Sequence, residues 1–318
     1  MNAYQALGCV GTALALLLAS VWIPLVGPFV SLLTPLPFLY YSTKLGVPQA
    51  VKFTCASILA SGLIAAVTRQ PQLIFLCLEF SILGLILSEI FRRKLPIGTS
   101  VLLGTCLLLL LGLLVLAVAG LRRNMGPMEI VHDYLQESVD QSARLYAQMA
   151  ADPEKAGEFE EYLGALREGV SLVYPSLMVL ASAFVVWLNV VLGRLLFRKR
   201  NLEAPDLGSL DRWQSPERMV WGLIAAGFSL FLSFSPLRLV AVNALVIMLA
   251  IYFFHGLAIL LFYLNKYRVP SWMRLGIYAL ILVQQILAIG VTMAGLFDQW
   301  LDLRRIHQKK PELGRNNS

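Results

Sequence analysis

The segment Val101–Leu121, VLLGTCLLLLLGLLVLAVAGL, runs for 21 residues without a charged side chain. A helix of that length matches the roughly 30 Å hydrocarbon core of a bilayer, which takes about 20 residues to cross. Comparable apolar runs lie at 5–25, 28–42, 48–67, 72–91, 96–121, 172–193, 219–236, 239–263 and 275–297 of the 318 residues. Soluble domains carry about 25% charged residues. Here 58% are hydrophobic and only 14% charged, which makes the chain an integral membrane protein. The expected fold is all-α, a polytopic bundle of about eight to nine transmembrane helices.

The order of the runs divides the chain into a first helix group (1–121, five segments), a polar insert (122–172), a second helix group (173–300, four segments) and a basic tail (301–318). Lys and Arg in short loops mark the cytoplasmic side. By that rule Arg92–Lys94, the cluster Arg194, Arg198, Lys199 and Arg200, and the trio Lys266, Arg268 and Arg274 are cytoplasmic, which puts the insert outside. The tail residues Arg304, Arg305, Lys309 and Lys310 conflict with nine crossings, so either one segment does not cross, with the 28–42 piece and the 219–263 pair as the suspects, or the tail breaks the rule. The first run lacks a basic leader and a cleavage site, and is expected to be retained. The insert holds ten acidic and five basic residues. Val131, Leu135, Val139, Tyr146 and Met149 form an apolar stripe at helical spacing, and Asp152-Pro153-Glu154 signals a second helix through Phe159, Tyr162, Leu163 and Leu166. An extracytoplasmic helical hairpin follows, either a solvated connector or a partner platform.

Within SVWIPLVGPFVSLLTPLPFLYYSTKLG, Pro24, Pro28, Pro35 and Pro37 interrupt an apolar stretch. Each proline removes a helix donor, and the carbonyls so freed need partners where water is absent. Broken membrane helices often line binding sites, so Pro28 and Pro35 are candidate ligand-binding positions; a kinked structural hairpin is the alternative. Tyr40, Tyr41, Ser42 and Lys44 then rim a cavity or anchor at the interface.

Ionisable groups inside membrane segments are costly and mark function by default. Glu79 is the most central acid, and His255 interrupts AIYFFHGLAILLFYL. Glu89 has Arg92 and Arg93 one turn on and reads as a helix-end ion pair. His255, Asn243, Gln284 and Gln285 either join helices by hydrogen bonds or face a cavity. Lys52 can reach the headgroups. Cys9, Cys55, Cys77 and Cys106 are widely spaced packing residues without metal-ligand or disulfide patterning. No nucleophile triad, phosphate loop, metal helix or nucleic-acid module is legible. The expectation is a protein without catalytic residues, metal or cofactor.

The proline-rich PLVGPFVSLLTPLPFLYYSTKLG, the multi-span layout and the mid-chain insert resemble the YybS-like family of predicted bacterial multi-pass membrane proteins, whose function is unknown. The first half is distantly similar to the S components of energy-coupling factor transporters, whose first helix carries an AxxxA contact; Ala15 and Ala19 fit that pattern. These resemblances imply the bacterial cytoplasmic (inner) membrane, lipid neighbours, and a small-molecule binding or transport subunit with a cavity lined by Glu79 or His255. Separate coupling and ATPase subunits would then energise transport. The alternative is a scaffold similar to the MreD-type proteins of cell-envelope assembly, with envelope proteins as partners; a lipid-acting enzyme ranks third.

Overall fold

The computed structural model describes residues 3–23, 26–149, 153–202, 208–232 and 234–304, and these contain helices and no strands. The helices are α1 Ala3–Trp22, α2 Gly27–Ser31, α3 Pro35–Leu45, α4 Val47–Thr68, α5 Gln72–Arg92, α6 Ile97–Arg123, α7 Pro127–Met149, α8 Pro153–Lys199, α9 Met219–Ser229, α10 Ser235–Lys266, α11 Ser271–Val283 and α12 Gln285–Leu301. They form two compact units. The first comprises residues 1–171 and 177–206; the second comprises 172–176 and 207–318.

Every one of the nine apolar runs is helical over most of its described length, yet length and composition separate them. Five helices suffice alone to cross a membrane: Val47–Thr68, Leu73–Arg92, Ile97–Leu121, Arg167–Lys199 and Pro236–Lys266. The pair α11 and α12 adds a sixth only if it counts as one span, because it bends by 102° at Gln284. Leu7–Ser20 and α9 are shorter, and α9 at 11 residues reaches about 16 Å.

In the first unit, α3 packs on α5, and α1 on α2, α3 and α4. Lipid tails are as apolar as leucine, so helices in membranes gain by close approach through small residues. The buried face of α4 shows this: Ala50, Thr54, Ser57, Ser61 and Ala65 recur at helical spacing, with Phe53 as the large residue. On α5, a Cβ at Gly84 would fall 2.5 Å from the Phe38 Cβ and 2.7 Å from the Pro35 carbonyl oxygen. Only glycine lets α5 touch the start of α3.

The prolines of the broken segment are accounted for group by group. Pro35 and Pro37 deprive the Ser31 and Leu33 carbonyls of their helical donors. Ser31 instead accepts from the Thr34 amide at 3.0 Å and the Thr34 hydroxyl at 2.6 Å, and Leu33 accepts from the Leu36 amide at 3.0 Å. That last bond diverts the donor of Leu32. Asn189 of α8 replaces it, its Nδ2 donating to the Leu32 carbonyl at 2.9 Å and to Val185 at 2.8 Å.

The second helix expected of the insert is the start of α8, a 47-residue helix that continues into the sixth apolar run. No proline stands between Arg167 and Tyr174, and where the helix passes through Pro175, Asn243 bridges the adjacent rung. The Ser176 amide, which would bond to Leu172 in a regular helix, donates to Asn243 Oδ1 at 2.8 Å. Asn243 Nδ2 donates in turn to the Leu172 carbonyl at 2.9 Å. The amide is inserted into the ladder. Val131, Leu135 and Val139 on α7 are half-buried, and Asp140 pairs with Arg167 of α8. The side chains of Tyr146, Met149, Phe159, Tyr162 and Leu166, and Asp152 itself, lie outside the described residues; Leu163 is buried.

In the second unit, both ends of the α11–α12 pair meet the C-terminal end of α10. Arg274, on the first turn of α11, donates to Asn265 Oδ1 at 2.7 Å, and the Tyr263 hydroxyl donates to the Leu303 carbonyl at 2.6 Å. The pair therefore departs from and returns to one end of α10, which favours a re-entrant loop over a full crossing. Leu303 thus lies at the same end of α10 as Lys266. In a cysteine-free background, Tyr267→Cys and Leu301→Cys should both react with an impermeant thiol reagent in inverted vesicles, and Tyr134→Cys on α7 in right-side-out ones. Labelling of positions 267 and 301 from opposite sides would make the pair a full crossing. Asn243→Leu strands two backbone groups and should lower unfolding stability in detergent by about 2–4 kcal/mol, whereas an unchanged melting curve would mean the α8 ladder closes without it.

Candidate functional site

The second unit is organised by a glycine crossing. A Cβ at Gly256 of α10 would lie 1.9 Å from the Val291 carbonyl oxygen, and one at Gly295 of α12 would lie 2.1 Å from that of Tyr252. Backbone contact at this point brings the neighbouring His255 and Asp298, 43 residues apart in sequence, within 3.0 Å. His255 stands 11 residues before Lys266, about 16 Å along α10, within the apolar stretch that is long enough to cross a membrane.

Four groups meet there. His255 Nδ1 lies 3.0 Å from Ser215 Oγ, and Nε2 lies 3.0 Å from Asp298 Oδ2. Arg304 Nη2 donates to the same Oδ2 at 2.9 Å and lies 2.9 Å from His255 Nε2. The other carboxylate oxygen accepts from the Leu303 amide at 2.8 Å. The His255, Asp298 and Arg304 side chains are exposed by 1% or less. Trp213 meets the imidazole edge-on at 6.1 Å.

Arg304 also closes an irregular stretch of backbone. From Asp211, whose carboxylate accepts from Asn265, to Ser215, at His255, the chain descends beside α10 largely outside regular helix. Arg304 Nη1 donates to the Asp211 and Trp213 carbonyls at 2.8 and 3.1 Å. One guanidinium thus neutralises a buried carboxylate and satisfies two backbone oxygens.

Ser215, His255 and Asp298 stand at the separations of a nucleophile triad. Their surroundings serve a closed structure instead. Ser215 is 5% exposed, Gln299 Nε2 approaches its hydroxyl at 3.4 Å, and Arg304 binds the carboxylate. The best-formed cavities lie elsewhere: one along α7 beside Asp133, Gln136 and Asp140, the other a small apolar gap between Leu14, Ser61 and Leu73.

The other expected positions fall in the first unit. Glu79 on α5 is half-buried beside Gly112 of α6, its carboxylate without a hydrogen bond among the described residues. Tyr40 stacks on Phe197 at 6.0 Å with Lys44 above its ring, and Tyr41 packs edge-on against Tyr40 and Phe53. Pro35 is buried at the start of α3; the Pro28 side chain lies outside the described residues. Ala15 is exposed on α1, and the Ala19 backbone lies against Gly27. Glu89 pairs with Arg93 at 2.9 Å and with Arg92 at 3.8 Å. Gln284 and Gln285 are exposed at the bend, and Asn243 joins helices. Asp298, Arg304 and Ser215 were not singled out by sequence. Asp298 lies one residue past the last apolar run and Arg304 among topogenic basic residues, so each has an ordinary local explanation.

Removing one partner of a buried ion pair strands the other, at a cost of about 3–5 kcal/mol. Asp298→Leu and Arg304→Met should each destabilise the detergent-solubilised protein on that scale, while the double variant loses at least about 2 kcal/mol less than the sum. Additive losses in equilibrium unfolding would show that the two charges do not depend on each other.

Comparison with known proteins places this chain in a family. Residues 12–299 match DUF2232, described as a predicted membrane protein. The chain is 20% identical over 295 residues to the uncharacterized protein YybS of Bacillus subtilis (strain 168), covering 89% of this chain and 91% of that one. No solved structure matches. These matches carry the YybS-like resemblance and say nothing of energy-coupling factor S components or MreD-type proteins. With 288 residues matched end to end, from 12 to 299, the chain belongs to the DUF2232 family of predicted membrane proteins.

Proposed function

We propose that this protein is a non-enzymatic subunit of the bacterial cytoplasmic membrane that binds or moves a small solute, with its working part in the second unit. One observation carries the reading: a buried His–Asp–Arg cluster on a helix long and apolar enough to cross a membrane, where one arm of a broken helix pair crosses α10. Ionisable groups within membrane segments are retained where they serve a substrate or ion path, and broken helices supply such paths with polar backbone. The chain has no ATPase motif, so energised transport needs separate subunits, for which Ala15 on the exposed face of α1 is a candidate contact. A membrane scaffold is the second reading. It is favoured by the α7 arm, which carries the acidic residues Asp133, Glu137 and Asp140 and an exposed Tyr134.

Native mass spectrometry of the protein purified in mild detergent separates them. A solute carrier should retain a small molecule, keep it in Glu79→Gln, and lose it in His255→Gln at an unchanged melting temperature. Loss in Glu79→Gln alone would move the site to the first unit. A preparation that holds no small molecule but copurifies with envelope-assembly proteins would make the scaffold the better account.

A further inference from the structure

The imidazole of His255 has two neutral arrangements in its surroundings, and each forfeits one contact. With the proton on Nε2, that nitrogen donates to Asp298 Oδ2 and Nδ1 accepts from the Ser215 hydroxyl, but Nε2 cannot accept from Arg304. With the proton on Nδ1, the ring donates to Ser215 and accepts from Arg304 Nη2, but loses Asp298. A third arrangement, the imidazolium, donates from both nitrogens and satisfies Ser215 and Asp298 together. It sets two cations 2.9 Å apart on a single carboxylate oxygen.

We propose that His255 is a proton-binding site, and that the proton it takes up displaces Arg304 from Asp298 and so loosens the Asp211–Ser215 segment. The ligand is a proton, delivered from the end of α10 where Asn265 lies exposed and Asp211 and Arg274 are half-buried. On protonation the Nε2–H to Oδ2 contact becomes an ion pair, while the guanidinium, already bonded to Oδ2, meets a like charge. Arg304 is the partner that can leave, since among the described residues its Nε has no acceptor and its Nη1 bonds are to neutral carbonyls. Asp298 stays fixed by the Leu303 amide. The groups around His255 are Asp298 and Gln299 of α12, Arg304 beyond it, Trp213 and Ser215 of the irregular segment, and Tyr252 on α10 itself. Asp211 turns its carboxylate away to Asn265. Among the described residues Asp298 is therefore the one anion at the ring, and it serves two cations in the protonated state. The site stands whether the protein carries a solute or holds a complex together.

The test uses the full chain in lipid nanodiscs, with histidine rings labelled in nitrogen-15. Of the three histidines, His255 is assigned by the signals lost in His255→Gln. Between pH 8.5 and 5 its signals should pass from neutral imidazole to imidazolium. Over the same interval, hydrogen-exchange protection factors of residues 211–215, which remove the chemical pH dependence of exchange, should fall about tenfold or more. Amides of α4 and α5 should stay protected. In His255→Gln the protection of 211–215 should not change with pH. If that variant does not fold, the wild type decides alone, because ring titration and segment protection are read from it together. A ring that stays neutral to pH 5 in the folded protein overturns the proposal. So does a ring that titrates while residues 211–215 keep their protection, or an equal loss of protection in the Gln variant.

Discussion

A backbone amide or carbonyl left open in hydrocarbon costs several kcal/mol, and three stretches of the described residues leave such groups outside a regular helical ladder and find them a side-chain partner. Each opening is closed by one buried side chain from a distant element. Asn189 takes the Leu32 carbonyl at the proline-rich break, Asn243 spans Leu172 and Ser176 at Pro175, and Arg304 covers Asp211 and Trp213 in the irregular segment. The rest of the packing follows from the demand that these side chains arrive in register. The glycine contacts at Gly84 and at the Gly256–Gly295 crossing bring the backbones close enough for them to reach.

The three closures differ in what else they can do. An amide such as Asn189 or Asn243 carries no charge and responds to nothing but geometry. A guanidinium does the same backbone work only if its charge is balanced, which brings Asp298 into the interior, and Asp298 brings His255. The ionisable cluster is thus tied to a break in the helix ladder, and a single residue links the stability of the irregular segment to the ionisation of its surroundings.

Much of this was legible in the sequence. All nine apolar runs are found largely as helix, the prolines of Ser20–Gly46 do break their segment, Glu89 does pair with Arg92 and Arg93, and Asn243 does bond between helices. What escaped was partnership across distance. Leu32 and Asn189 are 157 residues apart, and nothing local at either position points to the other. Asp298 and Arg304 were hidden by plausible surroundings, because charges at the end of an apolar run have a topological explanation that requires no partner. The continuity of α8 through Pro175 also depended on a distant residue: the local rule that proline ends a helix was overridden by an amide 67 positions away from Ser176.

The insertion of Asn243 into α8 has a consequence for how the chain is made. Synthesis at roughly 5–20 residues per second means that Leu172 waits about 4–14 s for an Asn243 that lies 71 residues later. During that interval α8 must sit in the membrane or its insertion machinery with an open rung. The Leu32 carbonyl waits longer, about 8–30 s for the 157 residues to Asn189, and the Asp211 carbonyl about 5–19 s for the 93 residues to Arg304. Each break is therefore a temporary polar lesion healed in order of translation, and the nascent protein needs a sheltering environment for tens of seconds that the finished one does not.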